Sequence, residues 1–238
     1  MKKPRRSTAL EYMDIGPSCY TSEEYRDCLT QLGRVGRLLG GDRASFSAFD
    51  RLSPPPGSIL DVGCGGGYFA MNLAKRFPQA RVVGTDISSD AIVYAQEQPQ
   101  MEKLSNLSFE RTEKKELESA PNSFDVVTAT MVCHHMKDEE IVDFVTRATA
   151  VASRAVIIND LHRHPLAWIS YAVIAPVLFH NRLITHDGLL SIRKGFKWKD
   201  WNYYLDRQEL NGMTWTCSWK WVFRWIVYID LETAPPTS

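Results

Sequence analysis

The chain has 238 residues, 44% of them hydrophobic, and its 28 Lys and Arg residues balance 28 Asp and Glu residues. This length suits one α/β domain with insertions, and the composition excludes a disordered chain and indicates no nucleic-acid partner, so we expect none. The five cysteines include no Cys-x-x-Cys pair, which favours a reducing compartment over a disulfide framework.

The first 56 residues carry helical patterns and no strand pattern. Their basic start resembles that of a signal peptide, but a mixed polar stretch follows instead of a long apolar run. We therefore expect a cytoplasmic protein with a loose basic tail. Apolar residues at steps of three and four predict a helix over residues 21–39, ended by Gly40 and Gly41, and a shorter helix at about residues 44–52. Residues 1–56 thus form a helical cap segment.

Beyond a Pro-rich break at residues 53–57, short apolar runs alternate with helical patterns. This alternation predicts a mostly parallel sheet with helices on both faces. Two β-rich runs near the end predict a terminal hairpin, which adds an antiparallel terminal strand. We expect an α/β fold with seven strands in residues 57–238. The predicted strands are residues 58–62, 81–86, 107–110, 124–129, 155–160, 214–220 and 223–230, and the predicted helices are residues 68–77, 90–98, 139–152 and 198–210, the last one stopped by Asn211 and Gly212.

A glycine-rich turn links the first predicted strand to the next helix. The strand ends at Asp61 and runs into Gly63, Gly65 and Gly67. Glycines let the backbone approach a ligand closely, and the helix amino terminus offers free N–H groups. Alternating glycines alone are also typical of tight turns. However, the next strand ends in Asp86, about 20 residues further on, the spacing at which a carboxylate accepts ribose hydroxyls.

These segments resemble motifs of class I S-adenosylmethionine-dependent methyltransferases. Residues 60–67 read Leu-Asp-Val-Gly-Cys-Gly-Gly-Gly, residues 83–88 read Val-Gly-Thr-Asp-Ile-Ser, and residues 123–127, Ser-Phe-Asp-Val-Val, resemble the fourth motif. The resemblance implies a Rossmann-like fold and S-adenosyl-L-methionine as cofactor. Glu113 stands where these enzymes usually have an Asp near the adenine amine. The cofactor-binding residues that the resemblance implies are Asp61, Gly63, Cys64, Gly65, Gly67, Asp86, Ile87, Glu113, Lys114 and Thr130.

Four segments outside this core, residues 11–14, 39–43, 159–165 and 186–193, resemble a bacterial subgroup of small-molecule methyltransferases. This subgroup is akin to the ubiquinone/menaquinone C-methyltransferases. The resemblance implies quinone biosynthesis or a related role, with a quinol, phenolic or polyketide-like acceptor methylated on oxygen or carbon. A methyltransferase for protein or RNA is one alternative, and a non-catalytic binding module that retained the fold is another.

Histidines follow the fourth and fifth predicted strands, at the sheet edge where open α/β sheets bind ligands. A neutral histidine is a suitable base for methyl transfer, because the acceptor must lose a proton. The candidates are His134, His135 and His186, the last beside Asp187. Alternatively, His134 and His135 only shape their loop. We expect no metal site, because the ligand spacing around these histidines does not fit zinc.

An insertion at about residues 161–196 predicts a helical lid. Residues 165–179 of this insertion carry no charge but are too short to cross a membrane, which takes about 20 residues. We consider three roles for them: packing under the amino-terminal helix, lining a lipophilic pocket, or peripheral contact with a membrane surface.

Nearby basic residues are expected either to contact lipid headgroups or to form a solvated face: Arg182, Arg193, Lys194, Lys197 and Lys199. Late aromatic residues stack on an aromatic acceptor or cover the sheet edge: Trp198, Trp201, Tyr203, Tyr204, Trp215, Trp219, Trp221 and Trp225.

Overall fold

Seven strands form one sheet in the part of the chain that the structure, a computed structural model, describes: residues 5–113, 117, 119–207, 210 and 213–232. The order across the sheet is β3-β2-β1-β4-β5-β7-β6, and β7 runs antiparallel to both of its neighbours. The predicted sheet and terminal hairpin are confirmed. The strands are β1 (Ser58–Val62), β2 (Arg81–Asp86), β3 (Leu107–Arg111), β4 (Phe124–Thr130), β5 (Ala152–Leu161), β6 (Thr214–Lys220) and β7 (Arg224–Asp230).

Helices cover both faces of this sheet because successive side chains of a strand point to opposite sides. In β1, Ile59 belongs to the same core cluster as Phe49 and Leu73, whereas Leu60 belongs to the cluster of Ile141 and Trp201 on the other face. Both residues are almost fully buried. The helices are α1 (Tyr12–Ile15), α2 (Ser22–Leu38), α3 (Gly41–Phe49), α4 (Tyr68–Arg76), α5 (Ser89–Gln96), α6 (Asp138–Val151), α7 (Pro165–Leu178), α8 (Arg182–Lys194) and α9 (Trp198–Leu205).

Helices α1, α2, α7 and α8 pack on one another. Cys28 of α2 is buried against Leu183 and Ile184 of α8. The Asn181 side chain, which caps α8, donates to the Glu24 carbonyl and the Asp27 carboxylate at 2.8 Å each. The amino-terminal segment and the insertion thus form a single layer.

Three local expectations differ from the structure. The strand β5 starts at Ala152, three residues earlier than predicted, because Ala152 pairs with Phe124 of β4 and this pairing overrides a helical pattern. Helix α9 ends at Leu205 instead of 210, and the predicted stop, Asn211 and Gly212, lies outside the described residues. Helix α3 starts at Gly41, because the left-handed backbone of Gly40 (φ 69°) turns the chain directly from α2 into it.

The prediction of a loose basic tail is wrong for Arg6, whose side chain is 5% exposed. Its guanidinium donates to the carbonyls of Met136 and Lys194 and to Asp138. It also lies over the Phe196 ring, 4.6 Å from the centroid. These contacts fasten the start of the chain to α6, α8 and the segment between α8 and α9.

Candidate active site

A cavity of about 700 Å³ opens at the carboxyl ends of β1, β2, β4 and β5, beneath the layer of α2, α7 and α8. Its volume falls in the range of small-molecule sites. The lining combines the glycine loop and Asp86 with His134, Asp187 and many apolar side chains. The sequence predicts ligand residues at this edge of the sheet, and the structure gathers most of them around this cavity.

The glycine loop has left-handed backbone at Gly63 (φ 68°), Gly65 (φ 51°) and Gly67 (φ 77°). A Cβ on Gly63 would lie 2.5 Å from the Val132 side chain, so protein packing alone requires glycine there. A Cβ on Gly65, in contrast, would meet only Leu29, at 4.0 Å. Gly65 therefore faces open space in the cavity, where its lack of a side chain suits a closely approaching ligand.

Asp86 at the end of β2 is fixed by this loop. Its carboxylate accepts hydrogen bonds from the N–H groups of Gly65 and Ser88, both at 2.9 Å. Burial raises the pKa of Asp86, and these donors act against that rise. Each carboxylate oxygen has a second lone pair, so Asp86 can still accept two hydroxyl groups from a ligand in the cavity.

Among the other predicted cofactor residues, Cys64, Ile87 and Thr130 line the cavity with Gly63 and Gly65, whereas Gly67 does not. Gly66 lines it instead.

Two acidic residues on the predicted list also stay outside the lining. Asp61 is 2% exposed within β1, where burial and the nearby carboxylates of Asp42 and Asp86 raise its pKa. Glu113 is exposed and lies outside the lining, although the adjacent residue Thr112 is part of the lining. Lys114 lies outside the described residues.

His134 forms a buried pair with Asp160, the penultimate residue of β5. Its Nδ1 lies 2.8 Å from Asp160 Oδ1, and its backbone N–H donates to Oδ2 at 3.1 Å. Burial favours a raised pKa for Asp160, but His134 and the N–H of Leu161 outweigh it and lower the pKa. Since the carboxylate only accepts, Nδ1 donates to it, and in a neutral imidazole Nε2 is then the nitrogen with a lone pair.

Asp160 is a candidate site residue, through its pairing with His134, that the sequence patterns did not identify. It occurs in a polar strand end, Asn159-Asp160, and the histidines that follow this strand end were considered as site residues instead. The parallel pairing of Thr130 with Asn159 brings the ends of β4 and β5 together. An acid at the end of one strand and a histidine after its neighbour are the signal that could have identified the pair.

His135 binds the amino-terminal segment. Its Nδ1 lies 2.8 Å from Asp14 Oδ1, and Lys194 Nζ donates to Asp14 Oδ2 at the same distance. Burial favours a raised pKa for Asp14, but His135 and Lys194 lower it well below its usual range. Lys194 Nζ also lies 3.2 Å from Glu11 Oε1, so these residues form an ion network over the cavity.

His186 pairs with Asp187 as the sequence suggested, with Nδ1 and Oδ1 2.7 Å apart. However, the ring stacks on Tyr12 and is 48% exposed, and His186 does not line the cavity. Asp187 also accepts from the N–H groups of Tyr12 and Met13. This pair therefore fastens α1 to α8, with Asp187 in the cavity lining and His186 outside it.

In the described residues, one group has the ligand types of a metal site: Glu11, His134 and His135, with one atom from each within 4.8 Å of the others. The ammonium of Lys194 lies 3.2 Å from Glu11 and would repel a cation. This group fits an ion network better than a metal centre.

Helix α7 lines the cavity with one side, through Ala167, Tyr171 and Ala175 among others. The opposite side is exposed: Leu166, Ile169, Val173 and Val177 keep 53–76% of their surface accessible. The packing alternative is therefore wrong for most of this helix. The late aromatic series lies outside the lining of the cavity in the described part of the chain, and Trp201 packs instead on Phe196.

Comparison with known proteins agrees with this arrangement. Residues 59–154 match the sequence profile of a family described as methyltransferase domain. The chain contains a methyltransferase domain. The profile covers the glycine loop, Asp86 and His134, and it includes the three segments that resemble class I motifs, residues 60–67, 83–88 and 123–127.

Curated relatives are ubiquinone biosynthesis O-methyltransferases. The protein of Neisseria meningitidis serogroup C (strain 053442) is 27% identical over 156 residues, which cover 65% of this chain and 60% of the relative. The protein of Albidiferax ferrireducens is 32% identical over 151 residues, 60% of this chain and 58% of the relative. The chain thus spans about 60% of the length of these relatives.

Solved structures share the fold over most of the chain. A SAM-dependent methyltransferase from Aquifex aeolicus has a TM-score of 0.64 at 17% identity and covers 87% of this chain and 98% of its own. The plantazolicin methyltransferase BpumL, in complex with a monoazolic desmethylPZN analog and SAH, has a TM-score of 0.67 at 14% identity and 90% coverage of both chains. The predicted Rossmann-like methyltransferase fold is confirmed.

Proposed function

We propose that the chain is an S-adenosylmethionine-dependent methyltransferase that methylates a hydroxyl group of a small lipophilic aromatic acceptor, such as a quinol, a phenol or a polyketide-like compound. One observation carries the proposal: a single apolar cavity joins the glycine loop and Asp86 to the His134–Asp160 pair. The names of the curated relatives support oxygen as the methylated atom.

The residues present fit the cofactor. Open space at Gly65, which a Cβ would enter without meeting protein closer than 4.0 Å, suits its close approach. Asp86 would accept the ribose hydroxyls, while Gly63, Cys64, Ile87 and Thr130 would surround the ligand. Asp61, Gly67, Glu113 and Lys114 stay predictions for this site. S-adenosylmethionine, when bound, supplies a methyl group on a positively charged sulfur.

His134 acts as the base in this proposal. Its Nε2 would accept the proton of the acceptor hydroxyl as that oxygen bonds to the methyl group and the S–C bond of the donor breaks, and Asp160 would stabilise the imidazolium that forms. His134 is 2% exposed, so water competes little for Nε2. We favour His134 over His135 and His186, because those two hold the amino-terminal segment.

Helices α7 and α8 with the amino-terminal segment form the proposed lid. Closure by such a layer excludes water from the reacting groups. The ion network of Glu11, Asp14, His135 and Lys194 holds the amino-terminal segment over the cavity. Residues 1–56 would thus act as a cap and residues 161–196 as a lid.

We also propose that α7 rests on a membrane surface containing anionic lipids. Its exposed side is apolar, and its other side lines the cavity, so a lipophilic acceptor could enter from the bilayer. Exposed Arg193, Lys197 and Lys199 supply positive charge, and Arg193 lies 4.8 Å from the Trp168 ring of α7. Lys194 and Arg182 do not contribute, because they pair with carboxylates. None of the helices in the described residues is long and apolar enough to cross a membrane.

Purified protein with radiolabelled methyl donor and a panel of catechols, phenols and quinols tests the proposed reaction. We expect label in the ether product of at least one acceptor, and loss of this label in His134→Gln. Transfer to protein or RNA without transfer to any small acceptor would contradict the proposal. Binding of the donor by calorimetry without any transfer would indicate a binding module instead.

A further inference from the structure

Arg224, the first residue of β7, places a buried positive charge beside the cavity. Its side chain lines the cavity and the residue is 3% exposed. The residue pairs with Leu161 of β5, next to Asp160. The guanidinium therefore belongs to the same end of the sheet as the His134–Asp160 pair.

The guanidinium has few partners among the described residues. Nη1 donates to the Met131 sulfur at 3.0 Å, and a thioether is a weak acceptor. Nε is buried without a partner, and Arg224 forms no ion pair with the described carboxylates. Burial lowers the pKa of Arg224, although Asp160 and Asp42 attract its charge from a distance and act against this. A buried charge with unfilled donors is costly unless an anion completes it.

The surroundings suit such an anion. A Cβ on Gly41 would lie 3.1 Å from Arg224 Cζ, so glycine lets the guanidinium approach the amino terminus of α3. That terminus carries partial positive charge, which adds to the field of the guanidinium. Asp42 in the first turn of α3 is held by the Asn72 amide at 2.8 Å instead of by Arg224.

We propose that Arg224 binds a carboxylate on the acceptor, so that the substrate class is a hydroxylated aromatic acid. This inference rests on the proposed function, because it assigns the acceptor to the β4–β5–β7 end of the cavity, beside His134. Arg224 would orient the ring by its carboxylate, and His134 would then receive the proton of a ring hydroxyl. The planar fork of Arg suits two-point pairing with a carboxylate.

A matched pair of acceptors tests the proposal: protocatechuate and catechol, which differ only by the carboxylate. Methyl transfer and calorimetric binding to the S-adenosylhomocysteine complex are measured for wild type, Arg224→Met and Arg224→Lys. Arg51→Gln is the control, because Arg51 lies near β6 and β7 outside the cavity lining. We expect wild type to prefer protocatechuate by about 10-fold or more, the effect of one charged hydrogen-bonded pair.

In Arg224→Met this preference should vanish, with affinity for S-adenosylhomocysteine unchanged, and Arg224→Lys should retain part of it. Equal use of both acceptors by wild type would overturn the inference and leave the proposed function intact. Loss of S-adenosylhomocysteine affinity in both variants, with the acceptor preference kept, would assign Arg224 to the donor carboxylate and also overturn it. Failure of wild type with every phenolic acceptor would reject both proposals. If Arg224→Met does not fold, Arg224→Lys with the same two acceptors still tests the inference. Its preference for protocatechuate should then be smaller than that of wild type, and an unchanged preference would overturn the inference.

Discussion

Asp160 lies behind His134, a lining residue of the cavity, and pairs with it, with Nδ1 and Oδ1 2.8 Å apart and a second bond from the His134 N–H. The two residues are 26 positions apart in sequence and belong to the ends of neighbouring strands. Their geometry fixes both the ring orientation and the nitrogen that carries the proton, so the proposed base depends on Asp160 as much as on His134.

Asp160→Asn should lower kcat by roughly 100-fold or more, within the usual range for general base catalysis. The amide no longer stabilises the imidazolium and permits the wrong tautomer. Initial rates with the preferred acceptor measure the effect, and calorimetry with S-adenosylhomocysteine should show unchanged donor affinity. His186→Gln is the control, since His186 lies outside the lining. A rate within a few-fold of wild type for Asp160→Asn would contradict the role of the pair.

Asp86→Ala should weaken binding of S-adenosylhomocysteine by about 10- to 100-fold, because hydrogen bonds to a charged group contribute about 1.5–3 kcal/mol. The measurement is calorimetric titration. Asp90→Ala, in the exposed first turn of α5, serves as the control and should bind like wild type. Unchanged affinity in a folded Asp86→Ala protein would show that the ligand does not use this carboxylate.

Replacing Val173 and Val177 of α7 by Ser should weaken binding to vesicles that contain anionic lipid. The exposed fractions of these side chains are 67% and 76%, so the fold should tolerate the change. Co-sedimentation with phosphatidylglycerol vesicles measures binding, and Val93→Ser in α5, where the side chain is 47% exposed, is the matched control. Wild-type protein that stays in the supernatant with these vesicles would refute the proposed membrane contact.

Protonation of His162 should destabilise the fold at mildly acidic pH. Burial, His164, Lys197 and Arg163 lower the pKa of His162 to about 4, below the usual value of about 6.5. The unfolded chain therefore binds the proton more readily, and stability falls as the pH drops below about 6.5. With allowance for solvent screening at this partly exposed ring, roughly 1 kcal/mol should be lost by about pH 5.

Urea unfolding at both pH values tests this expectation. His162→Gln should show a smaller loss than wild type, because the amide does not titrate. The Trp219 indole donates to His162 Nδ1 at 3.2 Å, and Gln keeps an acceptor for it. An identical loss in both proteins would assign the pH dependence to other groups.

The sequence by itself determined the strand order along the chain, the glycine loop and Asp86. These depend on local patterns: alternating apolar residues, glycines at a turn and an acid at a strand end, which are written in consecutive residues. The Asp160–His134 pair, the buried Arg224 and the exposed side of α7 were decided only by tertiary structure. Each depends on which strand ends meet and which helix face is covered. Thr130 pairs with Asn159, and Leu161 pairs with Arg224, so strand pairing joins residues that are far apart in the chain. Arg6 shows the same principle, since its basic pattern predicts a free tail and its contacts with distant carbonyls hold it in place.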